Sequence, residues 1–294
     1  MLRTAILTLT AAGMLQASVS GQNQTHTVIF VSDATNGEIE QTIALPAFPD
    51  IRSPEFSPDG RYVAMCGIRS AQQRTDVRIL IVDLTNGELT DLGAGLMPSW
   101  SADGNWIAVS MRNADRGVLI RSVHGTEERL IDPEGRGIQW APDGRRLAYV
   151  RRGNLVIYDL VSDSSRELFD ADDQPYDYIY WNCKWSPDSR RICFKGKRDD
   201  DTLDIAIVTL TDDGAELNAR SSDLGVLADI AWNSNEPMIL IPKHRTESAR
   251  LQMFALNPDG IDPPERWNLQ PSDRHNGGMS FSRDGKRIVY MSRD

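Results

Sequence analysis

Lysine is scarce in this chain. Only 5 of its 32 basic residues are Lys and 27 are Arg, against 42 Asp and Glu, so its 294 residues carry a formal net charge of −10. That balance argues against nucleic acid as a partner, because neutralising phosphates takes a dense Lys/Arg surface. Arg in place of Lys favours fixed, planar contacts over diffuse attraction. Cysteine is scarcer still, with Cys66, Cys183 and Cys193 alone. An odd count argues against a disulfide framework, and no C-x-x-C occurs. Three Cys and 4 scattered His make no zinc-ligand spacing. There is no G-x-S-x-G elbow, no H-E-x-x-H, no P-loop and no G-x-G-x-x-G after a strand, so none of those enzyme classes is indicated. No catalytic residue, metal or cofactor is assigned on this basis. No stretch approaches about 20 apolar residues, so no membrane span is expected.

What is present is ordinary globular composition, 40% hydrophobic and 25% charged. The first 21 residues stand apart. Arg3 gives a short positive start, Thr4 to Leu15 is mostly Ala, Ile, Leu, Thr and Met, and Ala17-Ser18-Val19-Ser20-Gly21 offers small residues for cleavage. The pattern predicts a secretory signal peptide over 1–21, and hence a periplasmic or secreted protein. Residues 22–294 then form a single domain.

An internal repeat dominates that domain. One cassette recurs: a small or polar entry, an aromatic, a Pro-Asp-Gly-type turn, then alternating apolar residues. It reads SPEFSPDGRYVAM from Ser53, MPSWSADGNWIAV from Met97, GIQWAPDGRRLAY from Gly137, NCKWSPDSRRICF from Asn182, DIAWNSNEPMILI from Asp229 and GMSFSRDGKRIVY from Gly278. The aromatics Phe56, Trp100, Trp140, Trp185, Trp232 and Phe281 are spaced by 44, 40, 45, 47 and 49 residues. The fifth copy is degenerate, with Asn235-Glu236 where Asp-Gly should stand. Asp-Gly favours tight reversals and the flanks alternate with period two, so each cassette is a β-hairpin. A second hairpin follows each one, as in ILIVDLTNGEL from Ile79. Paired, they predict an all-β fold: a six-bladed β-propeller of four-stranded antiparallel blades. The chain opens on an outer hairpin at Val28 and closes on an inner one at Tyr290. The last blade must therefore be assembled from both ends of the chain, Met279–Met291 against His26–Ile43.

The pattern W-S-P-D-G-x-R-[IL]-A-[FY], followed by I-x-[IV]-x-D-L, resembles the TolB-like, WD-repeat-like propeller repeat over residues 26–294. The resemblance implies a scaffold with envelope or extracellular protein partners. TolB places an α/β domain before its propeller, and no counterpart is expected between the signal and His26. Related repeats occur in lyases acting on oligouronides, which implies metal-binding His as an alternative. A lectin-like sensor of an acidic small ligand or oligosaccharide is the other alternative. A monomer is expected.

Site candidates follow from loop placement. The turn Asp residues (Asp59, Asp103, Asp143, Asp188, Asp284) are expected to bond their own backbones rather than bind calcium. The opposite face gathers Arg69, Arg74, Arg112, Arg116, Arg151, Arg152, Lys195, Lys197, Arg198, Lys243, His244 and Arg245. These either tie blades together by ion pairing or attract an anionic ligand. The crossing Phe169–Trp181 is long and carries Tyr176, Asp177, Tyr178, Tyr180 and Trp181 beside Lys197 and Arg198. It is either a recognition platform or the start of a strand packed between blades. His244 and Arg245 approach Arg274 and His275 from the neighbouring blade, too few ligands to assign a metal. Cys183 and Cys193 fall on adjacent strands, which leaves a bridge between them or two buried thiols open.

Overall fold

The turns explain the hairpins. In the computed structural model, the Ser57 hydroxyl donates to Asp59 Oδ1 (2.6 Å) and accepts from the Tyr62 amide (2.9 Å), while Asp59 Oδ1 also takes the Arg61 amide (3.0 Å). Gly60 turns the chain at φ 69°, in the region where a Cβ is strained. Ser101-Ala102-Asp103-Gly104 and Ser282-Arg283-Asp284-Gly285 repeat this arrangement. Ser186-Pro187-Asp188 does so with Ser189 in glycine's place, at φ 59°. The degenerate fifth copy keeps the turn by another route: Asn233 Oδ1 accepts the amides of Asn235 (2.7 Å) and Glu236 (3.2 Å). These turn acids bond their own backbones, as the sequence indicated.

The structure describes residues 5–8, 27–70, 75–112, 117–170, 172, 174–211, 214–221, 229–244, 250–260 and 262–294. All regular structure among them is β, in six sheets. The first blade runs Asp50–Phe56, Tyr62–Ile68, Val77–Asp83, Leu89–Ala94, from the channel outwards. The second is Leu96–Trp100, Trp106–Met111, Gly117–Ser122, Glu128–Asp132, and the third Arg136–Trp140, Arg146–Arg151, Asn154–Asp159, Ser164–Glu167. In the fourth, the inner strand is split into Tyr178–Ile179 and Lys184–Trp185, both pairing Arg191–Lys197, with Leu203–Thr211 and Gly214–Ser221 outside. The fifth is Ala231–Trp232, Ile239–His244, Leu251–Leu256, Glu265–Arg266.

The sixth blade closes the ring from both ends of the domain. Its order is Ile39–Ala44, Val28–Asp33, Arg287–Arg293, His275–Phe281. Val28 pairs Ser292 and Asp33 pairs Arg287 in one unbroken antiparallel ladder. Ala5–Thr8 adds a parallel strand along the outer edge of Ile39–Ala44.

The core is divided among blade interfaces. Along Tyr62–Ile68, Val63 and Met65 join the cluster shared with the sixth blade, whereas Ala64 and Cys66 join Trp100 and Ile107 of the second. Period-two alternation therefore buries both faces of a blade, one against each neighbour. The repeat Arg spans the same interfaces: Arg146 lies 5.1 Å from the Trp185 ring, Arg191 5.0 Å from Trp232 and Arg287 5.0 Å from Phe56, each one blade on. Cys183 and Cys193 fall in different clusters, because Lys184 is the residue opposite Cys193. They sit on opposite sides of the fourth blade, and all three cysteines are buried and outside any disulfide. Of the two options left open, the structure has buried thiols. No helix among the described residues is long and apolar enough to cross a membrane.

Candidate functional site

Each inner strand presents the same positions to the central channel. Counted back from the anchoring aromatic, the third residue is Ser53, Met97, Gly137, Asn182, Asp229 or Gly278, and the one immediately before the aromatic is Glu55, Ser99, Gln139, Lys184, Ala231 or Ser280. Irregular register at this point in the first, second, third and sixth blades turns the strand. Ser53, Met97, Gly137 and Gly278 all take positive φ there. Gly137 is obligatory, since a Cβ would lie 2.0 Å from the Trp181 carbonyl oxygen.

The lower of these two layers is a plug. Lys184 Nζ lies 2.5 Å from Glu55 Oε2 and 3.1 Å from Gln139 Oε1. Lys184 and Glu55 belong to the fourth and first blades, diametrically opposed in a six-blade ring, so the pair crosses the channel. Glu55 Oε1 also accepts the Ser99 hydroxyl and the Trp100 amide, both at 3.2 Å. The waist that remains holds about 30 Å³, room for a water or two and no more.

Above the plug the channel opens into a cup of about 690 Å³, within the range of small-molecule sites. Every blade contributes to its wall. Arg52, Arg112, Arg136 and Arg293 line it, with Asp50 and Asp229 as its acids. A chain of net charge −10 thus concentrates cations at one opening. Arg52 is held by Asp50 through Nε to Oδ1 (2.8 Å) and Nη2 to Oδ2 (2.6 Å), a fork that fixes the guanidinium while leaving its side chain half exposed. Arg136 lies 4.7 Å from the Trp181 ring centre, joining cation and aromatic across two blades. Asp229 sits at the floor, mostly buried, accepting from Asn182 Nδ2 (2.9 Å) and Ser53 Oγ (3.2 Å). Burial pushes its carboxyl above the ordinary aspartate range, against these two hydrogen bonds. Cys66 also lines the cup, but burial pushes its thiol up to about 12 and its sulfur accepts the Met97 amide.

The candidates named from sequence divide by position. Trp181 lines the cup. Tyr178 and Tyr180 make an edge-to-face pair at 5.1 Å, and Lys195 lies 4.6 Å from the Tyr180 ring. Asp177 is exposed beside them, and Lys197 pairs with Asp201 at 2.5 Å. Tyr176 is different. It is buried, packs edge-on to Phe194 and donates to Asp204, with Arg198 over its ring and paired to the same Asp204. Tyr176 belongs to the blade core, because Gly196 leaves a hollow that its ring fills, whereas the Arg198 side chain above it stays 39% exposed. Arg274 bonds Ser292 Oγ (2.9 Å) and Asp294 within the closing blade. His244 is exposed opposite Leu251, and His275 Nδ1 accepts the Leu251 amide at 3.1 Å, which brings the two His to one residue. Burial, Arg293, Arg250 and His244 all hold His275 below its ordinary value. Among the described residues no three His, Cys, Asp or Glu side chains converge as a metal site. Arg245, Arg74 and Arg116 lie outside the described residues.

The wider basic rim is largely paired, and mostly not as blade-to-blade ties. Arg69 meets Asp91 (3.7 Å) in its own blade, while Arg151 both reaches back to Asp132 of the second blade (3.0 Å) and holds Glu167 in its own (2.9 Å), and Arg152 meets Glu134 (2.8 Å) on the crossing between those blades. Inter-blade contact is made by the repeat Arg stacks and by basic residues on the outer strands, such as Arg129 with Asp163 (2.7 Å) and Arg121 with the Leu92 carbonyl (2.8 Å). The cup residues Arg52, Arg136, Arg293 and Asp229, and the plug pair Glu55 and Lys184, were not singled out from sequence. For Asp229, Glu55 and Lys184 the signal was a charge at an inward strand position that other copies fill with Gly, Ser, Met, Asn, Gln or Ala.

No protein-family model and no curated protein matches the sequence. Solved structures match the fold. A putative TolB from Agrobacterium tumefaciens superposes with a TM-score of 0.67 at 16% identity, covering 92% of this chain and 99% of that one. TolB from Acinetobacter baumannii gives 0.61 at 14% identity over 91% of this chain, which spans 63% of that protein's length. The propeller domain of the Trilobed protease from Pyrococcus furiosus gives 0.55 at 19% identity, covering 83% of this chain and 78% of that one. That domain is described as having an open velcro topology, whereas here the terminal strands pair and close the sixth blade. By its repeat, its closure and these neighbours, the chain has the fold of a TolB-like six-bladed β-propeller.

Proposed function

We propose that the chain is an exported, non-catalytic binding propeller whose cup receives an acidic ligand, either a small molecule or oligosaccharide or an acidic segment of an envelope or extracellular protein. The observation that carries this reading is the cup itself: blind at its base, about 690 Å³ in volume, and lined by four Arg from four blades in an otherwise acidic molecule. Arg52 and Arg136 are pre-oriented, by Asp50 and by the Trp181 ring, so little side-chain freedom is lost when an anion docks. The leader pattern in residues 1–21 supports export to the periplasm or beyond.

A thermal-shift series tests it, comparing trigalacturonate and an acidic tetrapeptide with their neutral counterparts. A ligand that binds only the folded state at about 100 times its Kd adds about 2.7 kcal/mol, or roughly 5 °C in Tm for a domain of this size. The expected result is a shift with at least one acidic ligand, none with the neutral ones, and loss of the shift in Arg52→Ala and Arg136→Ala. Shifts equal for acidic and neutral ligands would contradict the reading.

A further inference from the structure

Asp229 is out of keeping with a site for anions alone. It is the carboxylate at the floor of an arginine-rimmed cup, where any anion entering past Arg52, Arg136 and Arg293 would meet it. Its hydrogen-bond partners, Asn182 and Ser53, are both neutral. No Lys, Arg or His among the described residues forms an ion pair with it; Lys184, in the layer below, is committed to Glu55 at 2.5 Å. Lys184 and Arg52 act on it only at longer range, without an ion pair, so the mostly buried carboxylate is undercompensated. Gly278 has no side chain at the point where a Cβ would press on Asp229 Oδ2 at 3.1 Å. The repeat accepts Ser, Met, Asn or Gly at this position in the other blades, so the fold itself does not require an acid.

We propose that the occupant of the cup carries a protonated primary amine beside its acidic groups, the ammonium seated on Asp229 and the acids on the arginine rim. This rests on the cup being the binding site, and it names the class of ligand. The chemistry is that of an amino-acid-type zwitterion, supplied by a free amino acid or by the amino terminus of an acidic peptide. Two features favour an end group. The plug of Glu55 and Lys184 leaves about 30 Å³ at the waist, so a chain cannot thread past Asp229 and must present a terminus to it. An ammonium also has three donors, and the Asp229 carboxylate and Ser53 hydroxyl supply acceptors from two blades. A calcium ion would need six to eight oxygens, and no cluster of three acids stands here among the described residues.

The test compares tetra-aspartate bearing a free amino terminus, the same peptide N-acetylated, free aspartate and trigalacturonate, by calorimetry against the wild-type chain and Asp229→Asn. The free-amine peptide is expected to bind about tenfold or more tightly than its acetylated form, the scale of one charge-assisted hydrogen bond. Asp229→Asn should abolish that preference while leaving the acetylated peptide's affinity unreduced. Free aspartate binding as tightly as the peptide would also support the proposal, with the amino acid as the source. Equal affinity for free and acetylated peptide in the wild type overturns it, whether or not the variant folds. If those equal affinities are lost in Arg52→Ala, the acidic-ligand reading of the cup survives and only the amine is rejected. If none of the four probes binds, both fall.

Discussion

Asp229 links stability to site at the level of a single residue. Burial raises its pKa, so the folded chain holds this proton more tightly than the unfolded chain does. The stabilisation is complete at pH values below the unfolded pKa and is lost as pH rises through the raised folded value. Asparagine has no charge to desolvate and keeps an acceptor for Asn182 or Ser53. Asp229→Asn should therefore melt above the wild type at neutral pH, by roughly 2 °C if about 1 kcal/mol is recovered, with the gap narrowing towards about pH 4. Thermal denaturation of both proteins across that range checks it, and a variant melting lower at every pH would show that Asp229 serves the fold. The cysteines give a second expectation. Burial pushes Cys66 and Cys183 up to about 12, and Cys193 is fully enclosed. Thiol labelling at pH 8 should be negligible in the native chain and complete on unfolding. A fast-labelling thiol in the native state would mean that the cup wall at Cys66 opens.

Two kinds of information share an inner strand. The aromatic, the turn and the alternating apolar residues recur, and from them the hairpins, blade number and closure were legible in the sequence. The inward positions do not recur, and their partners are set by ring geometry: Glu55 and Lys184 are 129 residues apart and meet only because their blades are opposed. Sequence spacing cannot show such a contact. Trp181 was legible because the long crossing stood out from the repeat. Tyr176 stood out equally, yet it fills the hollow over Gly196, because aromatic content alone does not say which way a ring points. The plug yields its own prediction. Removing one member leaves the other charge poorly solvated, which costs about 3–5 kcal/mol in a fully buried pair and less here, where the side chains are 23% and 15% exposed. Glu55→Gln and Lys184→Met should each destabilise by about 2 kcal/mol, and the double variant by less than the sum. Additive losses in a denaturant double-mutant cycle would show that the two do not act as a pair.

At the scale of the whole molecule, closure and cup depend on each other. The cup takes residues from every blade, so its shape requires a ring that stays shut. The ladder of Val28–Asp33 with Arg287–Arg293, packed through Ile29, Val31 and Ile43, holds it shut. Deleting residues 22–45 should abolish cooperative unfolding, since a propeller lacking two strands of one blade exposes both flanking interfaces; a near-native melting curve would contradict closure as a requirement. The charge distribution follows the same logic. The acidic exterior favours solubility, while four Arg focus a positive potential at one opening. The most direct measurement is calorimetric titration of tetra-aspartate into the wild type and into Arg52→Glu/Arg136→Glu, at low and at high salt. Binding to the wild type should weaken about tenfold or more with added salt, because the site is open to screening, and should be undetectable in the charge-reversed variant. Equal affinity in the two proteins would place the binding elsewhere and contradict the cup as the functional site.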